Sequence, residues 1–170
     1  MRILKNAYLA VLLAAILPLQ TTLADGGKAQ SGSDRYEIEA LMWHYARALD
    51  TYNADAYAAL FTEDGQFKAG PNATKGRKAL WDMIENYRKG IADRKANGET
   101  VQPMYHMNAD THIEFIDDDH ALHHSYWFTV VAGSGPDSPT TIIAAGVGVD
   151  EVVRVDGKWL IKSRDVSPQD

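Results

Sequence analysis

The chain has 170 residues, with 17 basic and 23 acidic side chains and no cysteine. The acidic balance argues against nucleic acid or an anionic membrane surface as a partner, because both reward basic patches. The lack of cysteine excludes a thiolate nucleophile, a cysteine metal site and disulfide stapling.

Met1 to Ala24 carries the first positional signal. Arg2 and Lys5 precede an apolar run from Ala7 to Leu17, Pro18 breaks it, and Thr22-Leu23-Ala24 sets small residues three and one before Asp25. That is the layout of a secretory signal peptide, and the run is shorter than the roughly 20 residues a bilayer span needs. A signal anchor is the alternative reading. We expect cleavage after Ala24 and a periplasmic or secreted mature chain, residues 25–170, with no membrane association after cleavage. Removal of Arg2 and Lys5 leaves 15 basic against 23 acidic groups, a net charge of −8. A chain of this length fits one domain with one core.

Residues 25–33 are rich in Gly, Ser, Lys and Gln and read as a flexible leader, so the domain is expected over 34–170. Asp34 with Glu37 resembles a capping box, and Ile38, Leu41, Met42, Tyr45, Leu49 and Tyr52 follow helical spacing. One helix over about 34–52 is expected. Asn53 suits the cap of a short second helix carrying Tyr57, Leu60 and Phe61 inward. Glu63-Asp64-Gly65 reads as a turn, residues 66–69 as a short extended piece and 70–76 as a loop. Leu80, Trp81, Ile84 and Tyr87 predict a helix over 77–89 stopped by Gly90, followed by a polar loop or frayed helix over 91–102.

From Pro103 the texture changes to strands: 104–116, 120–132, 140–155 and 158–166, the last two joined by Asp156-Gly157, a strong hairpin signal. Helices followed by long adjacent strands predict an α+β fold with an antiparallel sheet.

Tyr45-Ala46-Arg47-Ala48-Leu49-Asp50, Leu60-Phe61-Thr62-Glu63-Asp64-Gly65, Tyr105-His106-Met107-Asn108 and Asp156-Gly157-Lys158-Trp159 stand in this order along the chain. The pattern resembles the SnoaL-like proteins of the nuclear-transport-factor-2-like superfamily, over about residues 34–166. The resemblance implies a cone: N-terminal helices packed on a strongly curved, mainly antiparallel sheet, with a pocket at the wide end. Members of the superfamily include scytalone dehydratase, a hexachlorocyclohexane dehydrochlorinase, bile-acid dehydratases, polyketide cyclases and ketosteroid isomerases, and others only bind. One fold therefore serves many activities, and function has to be argued from the site.

Asp50 falls in the last turn of the opening helix, where the helix dipole disfavours an anion by about 0.3–1 kcal/mol. It lies off the apolar stripe, on the side of Trp43 and Ala46. Taken alone it reads as a solvated carboxylate or a cap; the alternative is a buried carboxylate that orients a histidine. His106 opens the first long strand. The resemblance implies an aspartate at the end of the first helix paired with a histidine at this strand position, and Asp50 and His106 match both places. A neutral imidazole accepts a proton near neutral pH, and a carboxylate on its other nitrogen fixes the tautomer and steadies the imidazolium. Tyr45 stands five residues before Asp50, where the resemblance implies a tyrosine or a lysine able to donate to a leaving oxygen; it is also on the core stripe.

Arg164, on the last strand, is a candidate for binding an oxyanion or leaving group, against a solvated strand charge. Trp43, Tyr126 and Phe128 complete the candidate substrate contacts, as rings that suit an aromatic ligand or ordinary core. No metal site is expected: His123 and His124 are strand neighbours facing opposite ways, and neither they nor His112 and His120 fall in a ligand spacing. His106, Asn108, Asp110, His112 and Glu114 share one face by alternation. Gly146 and Gly148 stand where scytalone dehydratase is expected to carry a serine and an asparagine, which puts that substrate class in doubt; the glycines are read as kinking the strand and widening the cavity. Asn72-Ala73-Thr74 is a formal glycosylation sequon.

The reading that joins these features is a cofactor-independent acid–base lyase. Through an Asp50–His106 dyad it would eliminate water or another small group, formaldehyde included, from a small hydrophobic, hydroxylated aromatic molecule. An isomerase or cyclase using the same dyad, a periplasmic binding protein without turnover, and an interaction domain are the alternatives. A homodimer or homotrimer through the outer sheet face is expected from the resemblance.

Overall fold

Ile38, Leu41, Met42, Tyr45 and Ala48 recur at three- and four-residue steps and are the buried stripe of α1 (Gly26–Asp50). The computed structural model describes residues 26–167; the leader read over 1–24 lies outside them. The helix starts at Gly26, eight residues before the expected cap, so most of the expected flexible leader is its opening turns. Asp34 does not cap. Its carboxylate is buried and accepts from Arg154 Nη2 at 2.6 Å and from Trp159 Nε1 at 3.4 Å. At the other end the helix stops at Asp50, and Tyr52 takes a left-handed φ of 53° to turn the chain.

Asn53 caps α2 (Ala54–Ala59) as expected, its Oδ1 accepting the Ala56 N–H at 3.0 Å. Two features downstream differ from expectation. Glu63-Asp64-Gly65 is no turn: β1 (Phe61–Lys68) runs through it as an irregularity in its parallel pairing with the last strand. Gly65 is required there, because a Cβ would sit 2.9 Å from Phe61 Cβ and 3.0 Å from the Ile161 carbonyl. Gly90 does not stop α3 (Arg77–Ala96). The stop is Gly98 at φ 81°, which supplies the left-handed residue a helix end favours. The short β2 (Ala73–Lys75) lies inside the expected loop.

The strands β3 (Met104–Asp117), β4 (His120–Val131), β5 (Thr141–Val155) and β6 (Lys158–Asp165) follow the sequence reading. Asp156 and Gly157, at φ 50° and 76°, form the β5–β6 turn. The six strands lie in the order β2-β1-β6-β5-β4-β3, and only β1–β6 is parallel. The sheet is thus mainly antiparallel; it curls, and α1 packs against β3 and β6.

Two registers decide which side chains face the helices. On β4, Ala121, His123, Ser125 and Thr129 are buried while Tyr126 is 57% exposed, so odd residues face inward. On β3, His106 and Asn108 oppose Thr129 and Trp127, and Ile113 opposes His123, so these three also face inward. An odd and an even residue share a face because the register slips between Ala109 and His112, where Asp110 takes φ 48°. The slip overturns the expected row: His106 and Asn108 are inward, His112 and Glu114 outward.

The core joins this inner face to the helices. Tyr57 ring centroids lie 5.3 Å from Tyr45 and 5.1 Å from Phe61, and Leu80, Ile84, Val152 and Ile161 are fully buried around them. Each such side chain contributes roughly 1.5–3 kcal/mol.

Asp34 ties the start of the domain to its final hairpin, and Arg154 also stacks 4.5 Å from the Trp159 ring. Asp34→Ala should lower stability by about 1–3 kcal/mol, moderated because Arg154 keeps Asp119 as a partner. A denaturant titration would show it as a lower midpoint at unchanged slope; an unchanged midpoint counts against this role.

Candidate active site

Asp50 and His106 come from elements 56 residues apart in sequence and meet where α1 ends over the start of β3. Asp50 Oδ1 lies 2.9 Å from His106 Nδ1 and accepts the His106 backbone N–H at 2.8 Å. Its side chain is 7% exposed, and Arg47 Nη1 stands 3.6 Å from Oδ2. A carboxylate at a helix C-terminus costs about 0.3–1 kcal/mol. Two hydrogen bonds to a charged acceptor outweigh that, at roughly 1.5–3 kcal/mol each. The acceptor bond assigns a proton to Nδ1, so in the neutral ring Nε2 is the acceptor, and it has no protein partner among the described residues.

His106 borders two adjacent spaces. The mouth, about 560 Å³, is lined by Tyr52, Met83, Tyr87, Ile91 and Met104 among others. The inner chamber, about 160 Å³, is lined by Tyr45, Trp127, Thr129 and Arg164 among others. Leu49, Phe67 and His106 border both. The α3 turns beyond Gly90 thus form part of the mouth, in the segment expected as a polar loop or frayed helix. A third cleft, about 460 Å³, runs along the sheet edge outside and reaches Trp43, Asp50, His106, Asn108 and His123.

Tyr45 is buried, and burial holds its phenol above the ordinary pKa while the Arg164 charge pulls the other way. It therefore stays protonated at neutral pH and is a donor. Arg164 is 3% exposed, not a solvated strand charge. Burial opposes its charge, the Asp150 carboxylate favours it, and the net pKa is raised. Its guanidinium lies 4.4 Å from the Tyr45 ring centroid.

The other candidates separate. Trp43 is 61% exposed and borders only the edge cleft. Tyr126 is on the outer face and lines none of these spaces, because odd β4 residues take the inner face. Phe128 shares its alternation with Tyr126 yet borders the inner chamber.

Sequence reading missed Trp127, His123, Asp150 and Asn108. Asp150 is fully buried and accepts from Arg164 Nη1 at 2.5 Å and His123 Nδ1 at 3.1 Å through the same Oδ2. Asn108 Oδ1 accepts from Arg164 Nη2 at 3.0 Å. Trp127 also explains the glycines. A Cβ on Gly146 would stand 2.7 Å from Trp127 Cζ2, and one on Gly148 would stand 3.3 Å from Cδ1. The glycines make room for an indole and do not widen the cavity. Among the described residues no three His, Asp or Glu side chains gather as a metal site.

The model of the SnoaL-like domain family matches residues 30–165. The chain belongs to that family. Among solved structures it is similar to a variant of Rv3472, a protein of unknown function from Mycobacterium tuberculosis, at 26% identity over 84% of this chain and 75% of that one, TM-score 0.66. It is also similar to a protein of Novosphingobium aromaticivorans provisionally named scytalone dehydratase, at 27% identity, 81% and 85% coverage and TM-score 0.64. LinA, at 19% identity, 81% and 87% coverage and TM-score 0.65, shares the fold. No match was found among curated proteins.

Gly146→Ala should disturb the SnoaL-like domain more than Gly148→Ala, because only the first forces a contact that must shift. Near-ultraviolet circular dichroism should lose tryptophan signal in the first and keep most of it in the second; equal spectra would contradict the packing argument.

Proposed function

We propose that this SnoaL-like protein is a cofactor-independent acid–base lyase acting on a small hydrophobic molecule. The observation that carries the reading is the Asp50–His106 pair at 2.9 Å, with His106 bordering both the apolar mouth and the inner chamber that Tyr45 and Arg164 line. The ring system of the substrate lies in the mouth, against Tyr52, Met83 and Tyr87. Its reacting end lies beside His106, with the departing oxygen in the inner chamber.

His106 Nε2 takes a proton from carbon. The C–H electron pair becomes the new double bond as the bond to the leaving oxygen breaks. The oxygen receives the proton back from the imidazolium and leaves as water. Asp50 holds the ring and offsets the imidazolium charge while it exists. Tyr45, protonated, and the Nε–H of Arg164 donate hydrogen bonds to the oxygen during cleavage. A hydroxylated aromatic substrate fits this division, and an isomerase or cyclase would use the same proton transfers.

The apolar mouth favours a second reading, a binding protein without turnover. His106→Ala decides between them. Under the lyase reading it abolishes nearly all turnover in an absorbance screen of hydroxylated aromatics, while ligand affinity changes far less. Asp50→Asn should retain more, losing roughly 10²–10⁴-fold. Equal turnover in His106→Ala and wild type would defeat the dyad.

We also propose that the protein acts as a periplasmic or secreted homodimer or homotrimer. Tyr105, Met107, Tyr126, Ile143 and Val147 are each 39–57% exposed on β3, β4 and β5, and a second copy is the occupant that the family resemblance favours. Light scattering should give a dimer or trimer mass, and Tyr126→Glu with Val147→Glu should shift it to monomer. A monomer mass for the unaltered protein would contradict the assembly.

A further inference from the structure

The most unusual group in the molecule is Arg164, a buried cation whose fork is already occupied. Nη1 donates to Asp150 and Nη2 to Asn108. Tyr45 covers one face of the guanidinium. Nε has no partner. Asp150 is itself held by His123, which is 1% exposed and donates Nδ1–H to the same oxygen. The carboxylate–guanidinium pair thus enters the chamber wall as a neutral, rigid unit.

Arginine recognises carboxylates and phosphates with two parallel N–H bonds and an unspent charge. Here the charge is already spent. Each η nitrogen gives one N–H to an internal acceptor, and the Asp150 charge sits beside the guanidinium it neutralises. A second anion in the chamber would meet the Asp150 charge behind Arg164 and the Asp50 charge behind His106, with no unpaired cation to offset its desolvation. An uncharged acceptor meets a different site. Arg164 Nε–H and Trp127 Nε1–H are both buried, both unpartnered, and belong to residues lining the same chamber. Each is a single donor suited to one oxygen. A buried donor without an acceptor is costly, so a ligand oxygen that satisfies either gains what apo packing forgoes.

We infer that Asp150 is a specificity-determining residue, which by occupying Arg164 makes the inner chamber a site for a neutral hydrogen-bond acceptor, such as a ketone, and closes it to carboxylates. This rests on the cavity being the ligand site proposed above, and extends that reading by naming the charge class of the ligand.

The test compares 2-acetonaphthone with 2-naphthoate at pH 7. The two share a ring system, and one neutral carbonyl is exchanged for a carboxylate of similar size. Binding is read by tryptophan quenching and calorimetry on the purified protein. The wild type should bind the ketone at least about tenfold more tightly, the scale of one hydrogen bond involving a charged group. Asp150→Asn keeps the side-chain shape but releases the Arg164 charge, and naphthoate should gain about tenfold in affinity. His106→Ala should preserve the wild-type ratio, which separates this inference from the dyad: lost discrimination in that variant speaks against the inference, lost turnover supports the lyase. Should Asp150→Asn fail to fold, the wild-type ratio still decides. Naphthoate binding as tightly as the ketone, or neither probe binding at millimolar concentration, overturns the proposal.

Discussion

The Asp50 carboxylate ties the end of α1 to the first residues of β3. Without that tie the geometry of the cone has no fixed edge. β3 is the outermost strand on its side of the sheet, with β4 as its only strand neighbour. An edge strand of this length needs something on its free side to hold its start in place. Oδ1 supplies it, by accepting both the backbone and the ring N–H of His106. The same atom therefore anchors the strand and orients the imidazole. The helix dipole works against the carboxylate, which makes the position unprofitable unless those donors are present. Structure and chemistry share one group here.

The second organising constraint is the burial of charge on the inner face. Asp150, His123 and Arg164 are 0%, 1% and 3% exposed. Such a cluster stabilises nothing unless nearly every polar atom finds a partner. Contacts running from β4 to β5, from β5 to β6 and from β6 to β3 supply most of them. The network therefore crosses the sheet where α1 covers it and links strands that do not all pair directly. That the remaining orphans include Arg164 Nε, Trp127 Nε1 and Asp150 Oδ1 is a local exception to the saturation of buried polar groups.

Much of this was legible in the chain. Helical spacing in α1, the Asn53 cap, the long strands and the Asp156-Gly157 turn each rest on local chemistry, and all stand where local chemistry puts them. Asp50, His106 and Tyr45 were singled out from position and resemblance together, and Arg164 from its place on the last strand. What stayed hidden depends on register. A slip at Asp110 moves His112 and Glu114 to the opposite face from His106, and alternation alone gives no sign of it. Which β4 ring faces inward is likewise a matter of pairing: Trp127 and Tyr126 are equally plausible until Ser125 is set opposite Gly148 and Trp127 opposite Gly146. Asp150 looked like one more acidic residue in an acidic chain. A glycine pair across from a tryptophan was the signal available for the packing, and it was read as space when it was accommodation.

The division of the cavity follows from that accommodation. An indole laid over two glycines fills the depth of the cone that larger β5 side chains would otherwise occupy. It leaves a small chamber, lined in part by Tyr45, Thr129 and Arg164, beside a larger apolar mouth, about 160 Å³ against about 560 Å³. His106 lies at the junction because β3 enters the sheet there, and Asp50 holds it there. A ligand long enough to touch both spaces must pass its reacting atoms across the imidazole. A ligand confined to the mouth meets apolar surface and one edge of His106, and has no contact with Tyr45 or Arg164. Binding energy drawn from the mouth is uniform along a reaction, whereas contacts in the inner chamber change as charge develops. Under the proposed lyase reading, the fold thus separates the part of the ligand that supplies affinity from the part on which acid–base groups act, with one tryptophan and two missing side chains.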